Sequence, residues 1–144
     1  LIGPDQWPGL LTVARALPNL RIVLNHLGSM SVTGAALEAA WLERYQAAAS
    51  FPNIHMKVSG FLENSVIRPA PAALDFYRPT FDALWASFGM DRLLYGSNWP
   101  VCEMAGSYAT CINLVKTYFG EKGEEATACY FWKNALRVYR YGRQ

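Results

Sequence analysis

The sequence has 144 residues, 52% of them hydrophobic, 14% aromatic and 17% charged, enough apolar material for one packed domain and too much for intrinsic disorder. Thirteen Lys and Arg against eleven Asp and Glu leave a formal charge of +2, and no cationic cluster is denser than Arg137, Arg140 and Arg143. Neither nucleic acid nor an anionic membrane is therefore expected as the main partner.

The apolar stretches are far shorter than the roughly 18 to 20 residues that cross a bilayer, so a soluble protein is expected. Cys102, Cys111 and Cys129 are odd in number and lack CxxC spacing, which argues against a disulfide or zinc framework and for a reducing cytoplasm. The chain opens at Leu1 without a basic segment before an apolar one. No signal peptide is expected, and the start is either trimmed or internal to something longer.

Leu10, Val13, Ala14 and Leu17 recur at helical spacing and predict a first helix that Pro8 opens and Pro18-Asn19 closes. Residues 21–25 (RIVLN) suit a strand running toward Gly28. Leu37, Trp41, Tyr45 and Ala48 predict a second helix ending at Pro52-Asn53, after which residues 54–58 (IHMKV) suit a second strand running to Gly60. Tyr77, Phe81, Leu84, Trp85 and Phe88 form the next helical stripe, closed by Gly89-Met90-Asp91, and residues 92–95 (RLLY) a third strand before Gly96. Two further stripes follow, through Tyr108, Ile112, Val115 and Phe119, then through Ala128, Phe131, Trp132, Ala135, Leu136 and Tyr139. Strands separated by helical crossovers predict an α/β domain wound around a parallel sheet.

In such sheets chemistry gathers where loops leave the carboxyl ends of the strands, here residues 26–30, 59–68 and 97–103. Strand alternation groups His26 with Leu24 and Ile22, and Asn98 with Gly96 and Leu94. The second strand has an apolar row, Ile54, Met56 and Val58, against a polar one, Asn53, His55, Lys57 and Ser59. Two readings of that polar row stand: a barrel lumen in which Lys57 and Ser59 reach a ligand, or an edge strand facing water. His26 is the one histidine at a strand's carboxyl end, either a metal ligand or carbonyl polariser or a hydrogen-bonded structural residue. No HxH, HxxxH, HExxH, GxSxG, GxGxxG or GxxxxGK[ST] pattern occurs.

Residues 17–28 (LPNLRIVLNHLG), 53–60 (NIHMKVSG), 88–101 (FGMDRLLYGSNWPV) and 134–139 (NALRVY), in that order, resemble successive motifs of the amidohydrolase-related family. The likeness is nearest to its lactonase branch, with fuconolactonase-like and pyrone-dicarboxylate-lactonase-like hydrolases. It implies a (β/α)8 TIM barrel, which takes about 250 residues, so residues 1–144 are expected to be a partial barrel domain: the carboxyl-terminal half, with strands six to eight and their helices. The HxH dyad that holds a divalent cation such as zinc in metal-dependent members would lie outside it.

The same likeness implies catalytic roles for His26, as metal ligand or carbonyl polariser, and for Asn98, which stands where an aspartate usually serves as general base. An amide cannot accept the proton of the attacking water, so Asn98→Asp is expected to supply the missing base and raise activity. Lys57, Ser59, Arg68 and Trp99 are the expected substrate-binding residues, Arg68 through a substrate carboxylate. The implied activity is hydrolysis of a lactone or another cyclic ester or amide, with or without a divalent metal whose site is incomplete in this chain. Two alternatives are a decarboxylase on the same barrel and a catalytically silent half-barrel that pairs with another chain. The expected partners are a small-molecule substrate and either a second copy or the missing amino-terminal half.

Overall fold

In the computed structural model, which describes residues 2–140, the three apolar runs form one parallel sheet in the order β1-β2-β3: β1 is Ile22–Leu24, β2 Ile54–Val58 and β3 Leu93–Tyr95. The register pairs Leu24 with Met56 and Met56 with Leu93, so these three side chains share a face. All three are buried. Helices α1 (Trp7–Ala16), α2 (Ala39–Ala49), α3 (Leu74–Phe88) and α4 (Tyr108–Glu121) supply the rest of that core, led by Tyr45, Tyr77, Phe81, Tyr118 and Phe119.

The last helical stripe is not one regular helix. It runs as α5 (Glu124–Ala128), a π-turn (Cys129–Lys133) and α6 (Asn134–Tyr139). The turn seats Tyr130, whose ring stacks on Phe119 at 3.7 Å and whose hydroxyl donates to Val58 O at 2.8 Å. Leu37 precedes α2, and Pro79 lies inside α3 without ending it. Among the described residues no helix is long and apolar enough to cross a membrane. Arg143, the end of the basic tail, lies outside them.

β2 is the central strand, so the edge-strand reading of its polar row falls. The row divides its labour along the strand. Asn53, at the amino end, is buried and donates Nδ2 to the carbonyls of Ala14, Leu17 and Leu20 at 3.2, 3.1 and 3.0 Å, gathering the end of α1 and the turn into β1. Lys57 is half-buried, with Nζ 5.6 Å from the Tyr139 ring, and Ser59, past the carboxyl end, is fully buried. Asn53→Ala strands three carbonyls, and a shift of the urea midpoint equivalent to about 1–3 kcal/mol is expected. An unmoved midpoint would show that water satisfies them.

Among the described residues the sheet has three strands and two free edges and does not close on itself. Its carboxyl ends all point one way, and the loops that leave them meet.

Candidate active site

Beyond β1 the backbone enters the left-handed region and stays there, with φ of 53° at His26, 57° at Leu27, 63° at Gly28 and 68° at Ser29. Each non-glycine residue held there costs roughly 1–2 kcal/mol, so tertiary contacts must hold the turn. Leu27 is buried and its carbonyl accepts from the Tyr45 hydroxyl at 2.9 Å. At Gly28 a Cβ would stand 2.5 Å from Trp7 Cζ2, so both the conformation and the space require glycine.

This turn ends the strand's alternation, and His26 does not share a face with Leu24 and Ile22 as the spacing predicts. It swings instead to Ser59, with Nδ1 2.9 Å from Ser59 Oγ. Gly60 permits the approach: at φ 66° it lies so near that a Cβ there would come within 2.8 Å of His26 Cβ. Asn64 Nδ2 donates to His26 O at 3.3 Å, tying the loop after β2 to the turn after β1.

The third loop makes a matching connection. Asn98 has φ 56°, a conformation asparagine tolerates better than most residues. Its carbonyl accepts from Cys102 N at 3.1 Å, and its Nδ2 donates to Glu63 Oε1 at 2.6 Å. The Trp99-Pro100 peptide is cis, and Trp99 is 65% exposed. Ser97, Trp99, Glu103 and Tyr108 line an open hollow of about 530 Å³ on that flank.

The site thus joins His26 to Ser59 and Asn98 to Glu63, with Glu63 and Lys57 close enough for their charges to act on His26. Trp99 stands at the rim. Arg68 faces its own loop and not the mouth. Its guanidinium donates to the carbonyls of Ser65, Ile67 (3.1 Å) and Glu63 (2.6 Å), bracing the loop that carries Glu63. Glu63 is the residue that sequence reasoning missed. It is a half-buried carboxylate within the loop at residues 59–68, and its contact with Asn98 links two strand ends.

Burial pulls the His26 imidazole below its ordinary value; the Glu63 charge opposes this and the Lys57 charge adds to it. The ring is accordingly neutral near pH 7, with one nitrogen engaged by Ser59 and the other, Nε2, carrying either a proton or a lone pair. If Ser59 donates to Nδ1, then Nε2–H is a donor; if Nδ1–H donates to Ser59, then Nε2 is a base or ligand. Among the described residues no three His, Cys, Asp or Glu side chains gather as a metal site. One imidazole and one carboxylate already bonded to Asn98 do not make the four-ligand set that zinc takes.

The chain is 32% identical over 150 residues, 99% of its length and 49% of the relative's, to an L-fucono-1,5-lactonase of Burkholderia ambifaria. An amidohydrolase from Burkholderia multivorans solved with bound HEPES superposes with a TM-score of 0.86 at 24% identity, over 97% of this chain and 51% of that one. The amidohydrolase from the same organism solved with bound zinc superposes with a TM-score of 0.83 at 25% identity, over the same shares. The chain spans about half the length of the curated relatives it matches. Its parallel strands and helices are thus part of an amidohydrolase (β/α)8 barrel, in keeping with the carboxyl-terminal half. With the amidohydrolase family profile matching residues 4–141, nearly end to end, the chain belongs to the amidohydrolase family.

Proposed function

We propose that this chain supplies strands six to eight of a barrel that opens a lactone, or another cyclic ester or amide, by adding water to its carbonyl. The observation that carries this reading is the convergence of His26 on Ser59 and of Glu63 on Asn98 where the three parallel strands end. The similarity to an L-fucono-1,5-lactonase supports a lactone as the substrate class.

Burial keeps the His26 imidazole neutral, so with Ser59 Oγ donating to Nδ1 the outward Nε2–H is a donor ready for the carbonyl oxygen. Negative charge builds on that oxygen as water adds, and a donor already fixed in place stabilises it without reorganising. Lys57 adds positive field at the ring. Trp99, exposed beside the hollow, offers a flat apolar face for one side of a ring substrate.

The zinc-bound relative supports a divalent cation in the family. His26 Nε2 is the donor this chain would offer one in its other tautomer. The set present here falls short, and no step is routed through a cation. The free cysteines support a reducing, cytoplasmic setting, and the two free sheet edges support a second barrel segment as partner.

The test is a panel of sugar γ- and δ-lactones and a pyrone lactone, followed by proton release in weak buffer with the protein that contains this chain. Ring opening of at least one lactone well above the spontaneous rate is expected. Carbon dioxide release without ring opening, or no turnover of any lactone, would sink the reading.

A further inference from the structure

Asn98 cannot take a proton from water, yet it makes a short contact with a group that can. Glu63 accepts from Asn98 Nδ2 through Oε1 at 2.6 Å, and among the described residues its second oxygen, Oε2, makes no hydrogen bond. Its backbone is fixed from both sides: Arg68 Nη2 donates to Glu63 O at 2.6 Å, and the next residue, Asn64, donates Nδ2 to His26 O at 3.3 Å. The Glu63 charge also acts on the His26 imidazole, so the carboxylate stands near the proposed carbonyl donor.

We infer that Glu63 is the general base of this site, with Asn98 as the positioning residue that holds one carboxylate oxygen and leaves the other toward water. The inference rests on the lactone-opening reading above. As water adds, its oxygen forms the new C–O bond and its proton passes to Glu63 Oε2, while the carbonyl π pair moves onto the oxygen held by His26 Nε2–H. On collapse that pair re-forms the carbonyl and the ring C–O bond breaks. The proton on Glu63 then passes to the departing alkoxide oxygen, leaving a hydroxy acid and a carboxylate as it began.

The deciding variant is Glu63→Gln in the protein that contains this chain, because glutamine keeps the carbonyl oxygen that accepts from Asn98 and removes only the basicity. The expected result is a fall in kcat of roughly a hundredfold or more, with KM within about threefold, and recovery of at least about tenfold of the lost rate when formate is added to Glu63→Ala. A brace for the loop would not be rescued by a free carboxylate. Glu63→Gln within about threefold of wild type, or a folded Glu63→Ala that formate does not rescue, overturns the assignment while wild-type turnover leaves the lactonase reading standing. Absence of wild-type turnover removes both.

Discussion

His26→Ala, made in the protein that contains this chain, lowers kcat/KM for lactone opening by at least about a hundredfold, the scale of a lost oxyanion donor or acid–base group. The size follows from how the ring is held. Nδ1 is engaged by Ser59 at 2.9 Å, and the ring packs so closely on Gly60 that a Cβ there would stand 3.0 Å from Nδ1, so Nε2 is turned away from both. A donor fixed before substrate arrives is worth more than one that must be oriented during the reaction.

The pH dependence separates this role from a structural one. Burial lowers the His26 pKa from 6.5, so the uncharged ring persists to more acid pH than an ordinary histidine would. The wild-type rate should therefore hold below pH 6.5, and the ring's second protonation supplies one limb of its fall at more acid pH. The residual activity of His26→Ala lacks that imidazole limb. A variant with an unchanged rate would return His26 to the role of a bonded structural residue.

Much of this architecture was legible in the residues. β2 coincides with the run Ile54–Val58 because its apolar row is buried and its two neighbours divide its length, β1 pairing with residues 54–56 and β3 with residues 56–58. β1 and β3 shorten to three residues each: β1 loses Arg21 and Asn25, the latter to the turn that carries His26, and β3 loses Arg92, whose guanidinium donates to the carbonyls of Ala49 and Phe51 where α2 turns into β2. The polar row of β2 was legible as a row, but its setting was not, since only the strand order tells a central strand from an edge.

The site was legible in its positions and illegible in its directions. Alternation assigns His26 to the wrong face because it assumes extended backbone, and the left-handed turn begins at His26 itself. Gly28 and Gly60 were the visible hints, each standing where a Cβ would collide. Glu63 had no hint beyond being an acid in the right loop, because its partner Asn98 is 35 residues away and reaches it only through the fold. Arg68 shows the converse: a guanidinium expected to meet a substrate carboxylate is engaged by carbonyls one to five residues from itself.

The Glu63 contact also reverses what Asn98→Asp is expected to do. From sequence alone the change restores a missing base and raises activity. In the structure it replaces the Nδ2 donor, 2.6 Å from Glu63 Oε1, with a second carboxylate oxygen. Two carboxylates in that position cannot both ionise freely, so they share a proton and one of them titrates well above the usual range. A pair whose folded pKa is raised keeps its stability at acid pH and loses it as pH climbs through the raised value. The variant should therefore melt close to wild type near pH 4 and progressively below it toward pH 8, by an amount equivalent to ~1.5–3 kcal/mol, the scale of a lost hydrogen bond to a charged group. Its kcat/KM near neutrality should drop roughly tenfold, because the base that carries the reaction is either protonated or pushed from its place. Paired melting curves and pH–rate profiles decide the matter. A more active Asn98→Asp with an undiminished melting temperature at pH 8 would mean that residue 98, and not Glu63, is where the reaction needs its carboxylate.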